Sequence, residues 1–141
     1  MLDPDERQRL RERLDASRAV LLAALEGVTE RDFSSDVGGE TVVQLLARVA
    51  AEERDAVAQA LGVVTQERTV EKPLPPQVIH ALAGARYRTA RYLDSPTADL
   101  DTARTLVEAA EQRESEAARR VRERPKLKPL PPPPEMPVIR P

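Results

Sequence analysis

From Thr41 to Leu61 the chain reads TVVQLLARVAAEERDAVAQAL, and Val42, Leu45, Leu46, Val49, Ala50, Ala56, Val57, Ala60 and Leu61 recur at steps of three and four residues. That period stacks apolar side chains on one side of a helix. Thr41 and Gln44 have capping-box spacing, in which the Thr hydroxyl accepts from the backbone N–H of Gln44 and the Gln44 amide reaches back to the cap. Gly62 supplies the stop. Arg48 falls close enough to the apolar stripe to require an explanation.

The same period predicts three more helices. The first has Asp3 as N-cap, Pro4 at its first position, acids in the first turn, and Leu10, Leu14, Arg18, Leu21, Leu22 and Leu25 before Gly27. A third starts near Pro76, turns Val78, Ile79, Leu82, Ala83, Ala90 and Leu93 inward, and ends at DSPT, where Pro96 cannot continue the ladder. A fourth runs from about Asp101 to Arg124 with Leu106, Val107, Ala110, Ala117 and Val121 facing the core.

The connections between them are long. Residues 27–40 hold VTERDF and DVGG, with Thr29 placed to cap a short turn and Phe33 to fold back onto the core. Residues 62–75 read as a loop with a brief strand-like run at 63–70. Fourteen extended residues span about 45 Å, against about 30 Å for a twenty-residue helix. Loop length therefore leaves the helix directions open. The last stretch, 125–141, holds eight of the 13 prolines and is expected to be extended polyproline II. The expected architecture is all-α: a four-helix bundle over 1–124 with long inter-helix loops and a proline-rich tail over 125–141.

Composition narrows the function classes. A chain of 141 residues suits one domain. Its charged fraction is 33%, yet the signs nearly cancel to −2, without the basic excess of a nucleic-acid binder. Phe33, Tyr87 and Tyr92 are the only aromatics, too few to stack bases or sugars. The absence of cysteine excludes disulfides, thiolate nucleophiles and Cys-based zinc sites. No stretch resembles a signal peptide or a membrane span, so a cytoplasmic protein with no membrane partner is expected.

Helices one and two, LLAALEGVTERDF followed by GGETVVQLLARVAAEERDAVAQALG, resemble the opening of the DinB-like (DinB/YfiT-like) bundles. In that family a glycine-rich loop leads into a helix of pattern W-S-v-x-x-v-l-x-H-l-a-x-w-E; residues 40–53 here give E-T-V-V-Q-L-L-A-R-V-A-A-E-E, matching at Thr41, Glu53 and the hydrophobic frame. The family's last helix often ends H-x-x-E-H-l-x-q-i, and RESEAARRV at 113–121 lies on it with Glu116 and Val121 in register. The resemblance covers about the first 124 residues and implies a divalent metal, zinc or nickel, held by three histidines. The matching positions are Arg48, Arg113 and Ala117, none of which can ligate a metal. The resemblance therefore implies a non-catalytic, metal-free bundle, a binding or structural module without a cofactor. The alternative is a metal-dependent hydrolase or low-molecular-weight-thiol transferase working through other residues.

Arg48 with Glu52 forms an i, i+4 pair, and Glu53 and Glu116 complete a candidate ion-pair network in the space of the lost metal site. His80, the only histidine, has no companion ligands and reads as a surface or packing residue. The acids Glu52, Glu53, Glu111 and Glu114 read as solvated helix faces rather than a carboxylate metal site. In the tail, Pro129 and Pro132 give a P-x-x-P spacing beside Lys126 and Lys128. Docking of that tail on its own bundle or a dimer mate is preferred over recognition by another protein, and a homodimer is expected.

Overall fold

A computed structural model describes residues 1–63 and 72–127. The possible strand-like run at 63–70, beyond Val63, and the tail from residue 128 with its P-x-x-P spacing lie outside the described residues. What is described is all-helical: α1 (Pro4–Leu25), a 3-10 turn (Asp32–Ser34), α2 (Val42–Leu61), α3 (Pro75–Leu93) and α4 (Leu100–Arg122), with no strand beyond an isolated bridge between Asp36 and Thr41. No helix among the described residues is long and apolar enough to cross a membrane.

Asp3 precedes α1 without a side-chain cap hydrogen bond, whereas the signals around α2 and α4 act as their chemistry requires. Thr41 Oγ1 accepts from the Gln44 N–H at 3.1 Å, and Gln44 Oε1 accepts from the Thr41 N–H at 2.8 Å. Gly62 ends α2 in the left-handed conformation at φ 71°. Asp99 caps α4 by accepting from the Thr102 N–H at 3.0 Å. Thr29 and Asp32 hold the 3-10 turn reciprocally, at 3.0 and 3.2 Å. That turn lays Phe33 against Leu21, Val42, Leu46 and their neighbours in the core.

Helix directions follow from which residues share a core. Leu21 and Ala24 of α1 cluster with Leu45 and Val49 of α2, Val78 and Leu82 of α3, and Ala117 and Val121 of α4. Leu10 and Leu14 cluster instead with Val57, Tyr92, Leu93, Ala103 and Val107. Sequence number thus rises in the same sense in α1 and α4, and in the opposite sense in α2 and α3. The closest helix pairs, α1 with α4 and α2 with α3, are both parallel. The parallel α2–α3 pair explains one long connection. Its 13 residues, 62–74, must return along the length of a helix that rises about 30 Å, and an extended chain of that size reaches about 43 Å.

The helix faces differ in part from those predicted. On α3, Val78, Leu82 and Leu93 are buried, but Ile79 is 40% exposed and Ala83 also faces outward. Ala85, Thr89 and Tyr92 take the inner face, which leaves Ile79 and Arg86, about 20° apart around the helix, at its edge. On α1, Leu22 is 48% exposed while Ala24 is buried.

Candidate functional site

The middle of the bundle is charged. Glu53 of α2 and Glu114 of α4 are 2% and 0% exposed, with core leucines, valines and alanines on either side of them along their helices. A buried carboxylate without partners costs several kcal/mol, so each must be compensated.

Arg86 of α3 is the hub of that compensation. Its Nε donates to Glu53 Oε2 at 3.0 Å and its Nη2 to Glu53 Oε1 at 3.1 Å, a two-pronged contact. The same Nη2 donates to Glu114 Oε1. Nη1 donates to the Leu14 carbonyl of α1 at 2.8 Å, so one guanidinium touches all four helices. Burial works against the Arg86 charge, but Glu53 and then Glu114 outweigh it and raise its pKa above the ordinary guanidinium value.

Arg18 of α1 completes the set. Its Nε donates to Glu114 Oε2 at 2.6 Å, and its Nη2 lies 3.9 Å from Glu53 Oε1. Ser17 Oγ reaches Glu114 at 3.2 Å and Thr89 Oγ1 reaches Glu53 Oε2 at 2.9 Å. Two arginines thus meet two glutamates, and the group is formally neutral. Its remaining defect is Arg18 Nη2, shielded from solvent without a hydrogen bond among the described residues.

The reading of Glu53 and Glu114 as solvated charge is therefore corrected. Both stand in the apolar stripes of their helices, where Arg18 and Arg86 can reach them. Glu52 and Glu111 do lie at the surface, the latter paired with Arg13 at 2.5 Å.

The network expected around Arg48 is divided by the structure. Arg48 sits at the rim of α2 with its side chain 44% exposed, donating to Glu40 at 2.7 Å and Glu52 at 3.2 Å. Glu53, the next residue along, points to the interior because one helical step turns it about 100° from Glu52. Glu116 is exposed on α4 and lines an open groove of about 870 Å3 beside the Asp36–Glu40 turn. Arg48 and Glu52 are brought together; Glu53 and Glu116 belong elsewhere.

The turn before α2 forms a second polar cluster. Arg120 of α4 donates to the Val37 carbonyl at 2.8 Å and to Glu40 at 2.9 Å, so Glu40 is shared between Arg120 and Arg48. The Arg48 hydrogen bond, and then that from Arg120, outweigh burial and lower the Glu40 pKa. Asp36 accepts from the Gly39 and Gly38 N–H groups, which hold its carboxyl below the usual range.

Of the other positions named from sequence, Ala117 is buried in the core. Arg113 is half-buried on α4, with Nε and Nη2 shielded from solvent and without hydrogen-bond partners among the described residues. His80 is exposed on α3. Among the described residues no three His, Cys, Asp or Glu side chains converge in a way that could hold a metal ion. Comparison with protein-family models, with curated proteins and with solved structures gives no match for the chain.

Proposed function

We propose that the chain is a non-catalytic, metal-free helical bundle of the DinB-like kind, serving as a binding or structural module. One observation carries this reading: both buried carboxylates, Glu53 and Glu114, are already engaged by Arg86 and Arg18. A divalent cation at that place would have to displace a guanidinium and leave it buried without a counter-charge, which costs about 3–5 kcal/mol. The positions that match the family's ligands, Arg48, Arg113 and Ala117, offer no donor to a metal. Metal analysis of protein purified without added metal tests the reading. The expected result is substoichiometric metal, and one bound zinc or nickel per chain would sink it.

A homodimer belongs to the same proposal. Its support is the apolar side chains left to solvent on α3, where Ile79 and Tyr87 lie two helical turns apart. Sedimentation is expected to give twice the 15.6 kDa chain mass. A monomer at micromolar concentration argues against it.

A further inference from the structure

Charge is unevenly spread over the bundle. The whole chain carries −2, yet a pocket of about 480 Å3 between the 3-10 turn and the end of α4 is lined by Arg31, Arg122, Arg124 and Lys126 against a single acid, Asp32, among the described residues. Cations thus outnumber acids among the described lining residues, and Arg31 is engaged in an interaction of its own.

Structural duties account for only part of this. Arg124 donates to the Val121 carbonyl at 2.9 Å, a helix-end contact, and lies 3.8 Å from Asp32. Asp32 is occupied by the Thr29 N–H at 3.0 Å. Arg122 and Lys126 have neither hydrogen bond nor ion pair among the described residues. Cations near a helix C-terminus offset its dipole, but that effect fades within the last turn. Lys126 lies four residues past the end of α4, and Arg31 belongs to a different element. Dipole compensation does not require these charges to meet around one hollow.

We propose that this pocket binds the phosphoryl group of a small molecule. Its volume is within the small-ligand range of about 300–1,000 Å3. Guanidinium forks match phosphate oxygens in pairs, and an ammonium adds a point charge. A nucleic acid is disfavoured because, among the described residues, no aromatic side chain lines the pocket to stack a base.

The inference deepens the binding-module reading, and its test does not depend on metal content. Full-length chain is titrated calorimetrically with inorganic pyrophosphate at fixed ionic strength. The same titration is run on the Arg122→Gln/Lys126→Gln variant and on an Arg9→Gln/Arg104→Gln control, which loses the same charge at exposed sites elsewhere on α1 and α4. One saturable site is expected, weakened at least about tenfold by the pocket substitutions and by less than about twofold in the control. Absence of saturation, or equal weakening in both variants, overturns the proposal. So does a poly-glutamate peptide that binds more tightly than pyrophosphate, since the pocket would then be a peptide surface.

Discussion

Arg86 and Glu53 face each other across α3 and α2 in a two-pronged ion pair, Nε to Oε2 at 3.0 Å and Nη2 to Oε1 at 3.1 Å, with the carboxylate 2% exposed. Such a pair need not stabilise the fold relative to an apolar core, because desolvating two charges offsets their attraction. Breaking it is different. Arg86→Ala leaves Glu53 and Glu114 sharing Arg18 alone, and a loss of about 3–5 kcal/mol in unfolding free energy is expected from urea titration. The double variant Arg86→Met/Glu53→Met removes both charges and is expected to recover most of that loss. A cycle over these positions that shows additivity would mean that the two side chains do not interact.

Arg48 provides the contrast. It stands close to the apolar stripe of α2 in the sequence, but its side chain is 44% exposed and pairs at the rim with Glu40 and Glu52. Solvent screens such contacts, so Arg48→Met is expected to change stability by less than about 1 kcal/mol. Urea midpoints for Arg48→Met and Arg86→Met compared side by side check the distinction. If Arg48→Met proves the more damaging, the interior network is not what organises the core.

Four helices, the Thr41–Gln44 box, the Gly62 stop and the Thr29 turn were all legible, because each depends on residues within four positions of one another. The interior network was not, since Arg86, Glu53, Glu114 and Arg18 come from four helices and no local period joins them. Part of the signal was nevertheless present. Glu114 follows Ala110 by four positions and precedes Ala117 by three, in the centre of the α4 stripe, and Glu53 stands likewise between Val49 and Val57. Both acids stand deeper in an apolar period than Arg48 does. Arg86 lies on the face that Ile79, Leu82, Ala83 and Ala90 define, seven residues after the first and four before the last, yet a purely apolar period passes over it. Helix direction could not be read at all, because the long connections permit either sense.

Acid should loosen the turn before α2 ahead of the helices around it. Glu40 and Asp36 both have folded pKa values below their ordinary ones, the first through Arg48 and the second through the Gly39 and Gly38 amides. A group depressed on folding binds fewer protons in the native state, so its stabilisation is complete above the unfolded pKa and lost as pH falls through the folded one. Stability is therefore expected to hold from neutrality to about pH 5, then fall as the carboxylates protonate. Glu40→Gln should flatten this acid slope while lowering stability at neutral pH. Urea unfolding at several pH values from 7 to 3 reads both effects, and an unchanged slope would remove Glu40 from the account.

Gly38 and Gly39 separate backbone strain from steric contact. Both have positive φ, 104° and 95°, in the tight turn where the Val37 N–H donates to the Glu40 carbonyl at 2.8 Å. An alanine at either position is strained by its backbone, at a cost of about 1 kcal/mol or more. A Cβ at Gly39 meets nothing within 4 Å, whereas one at Gly38 lies 3.3 Å from Arg120 Nη2. Arg120 cannot retreat freely, because its Nε and Nη1 hold the Val37 carbonyl and Glu40. Gly38→Ala is thus expected to be the more destabilising of the two, and the excess should shrink when Arg120 is shortened to alanine in the same chain. Equal costs for the two glycine substitutions would show that Arg120 yields without loss, and that the turn is held by its glycines alone.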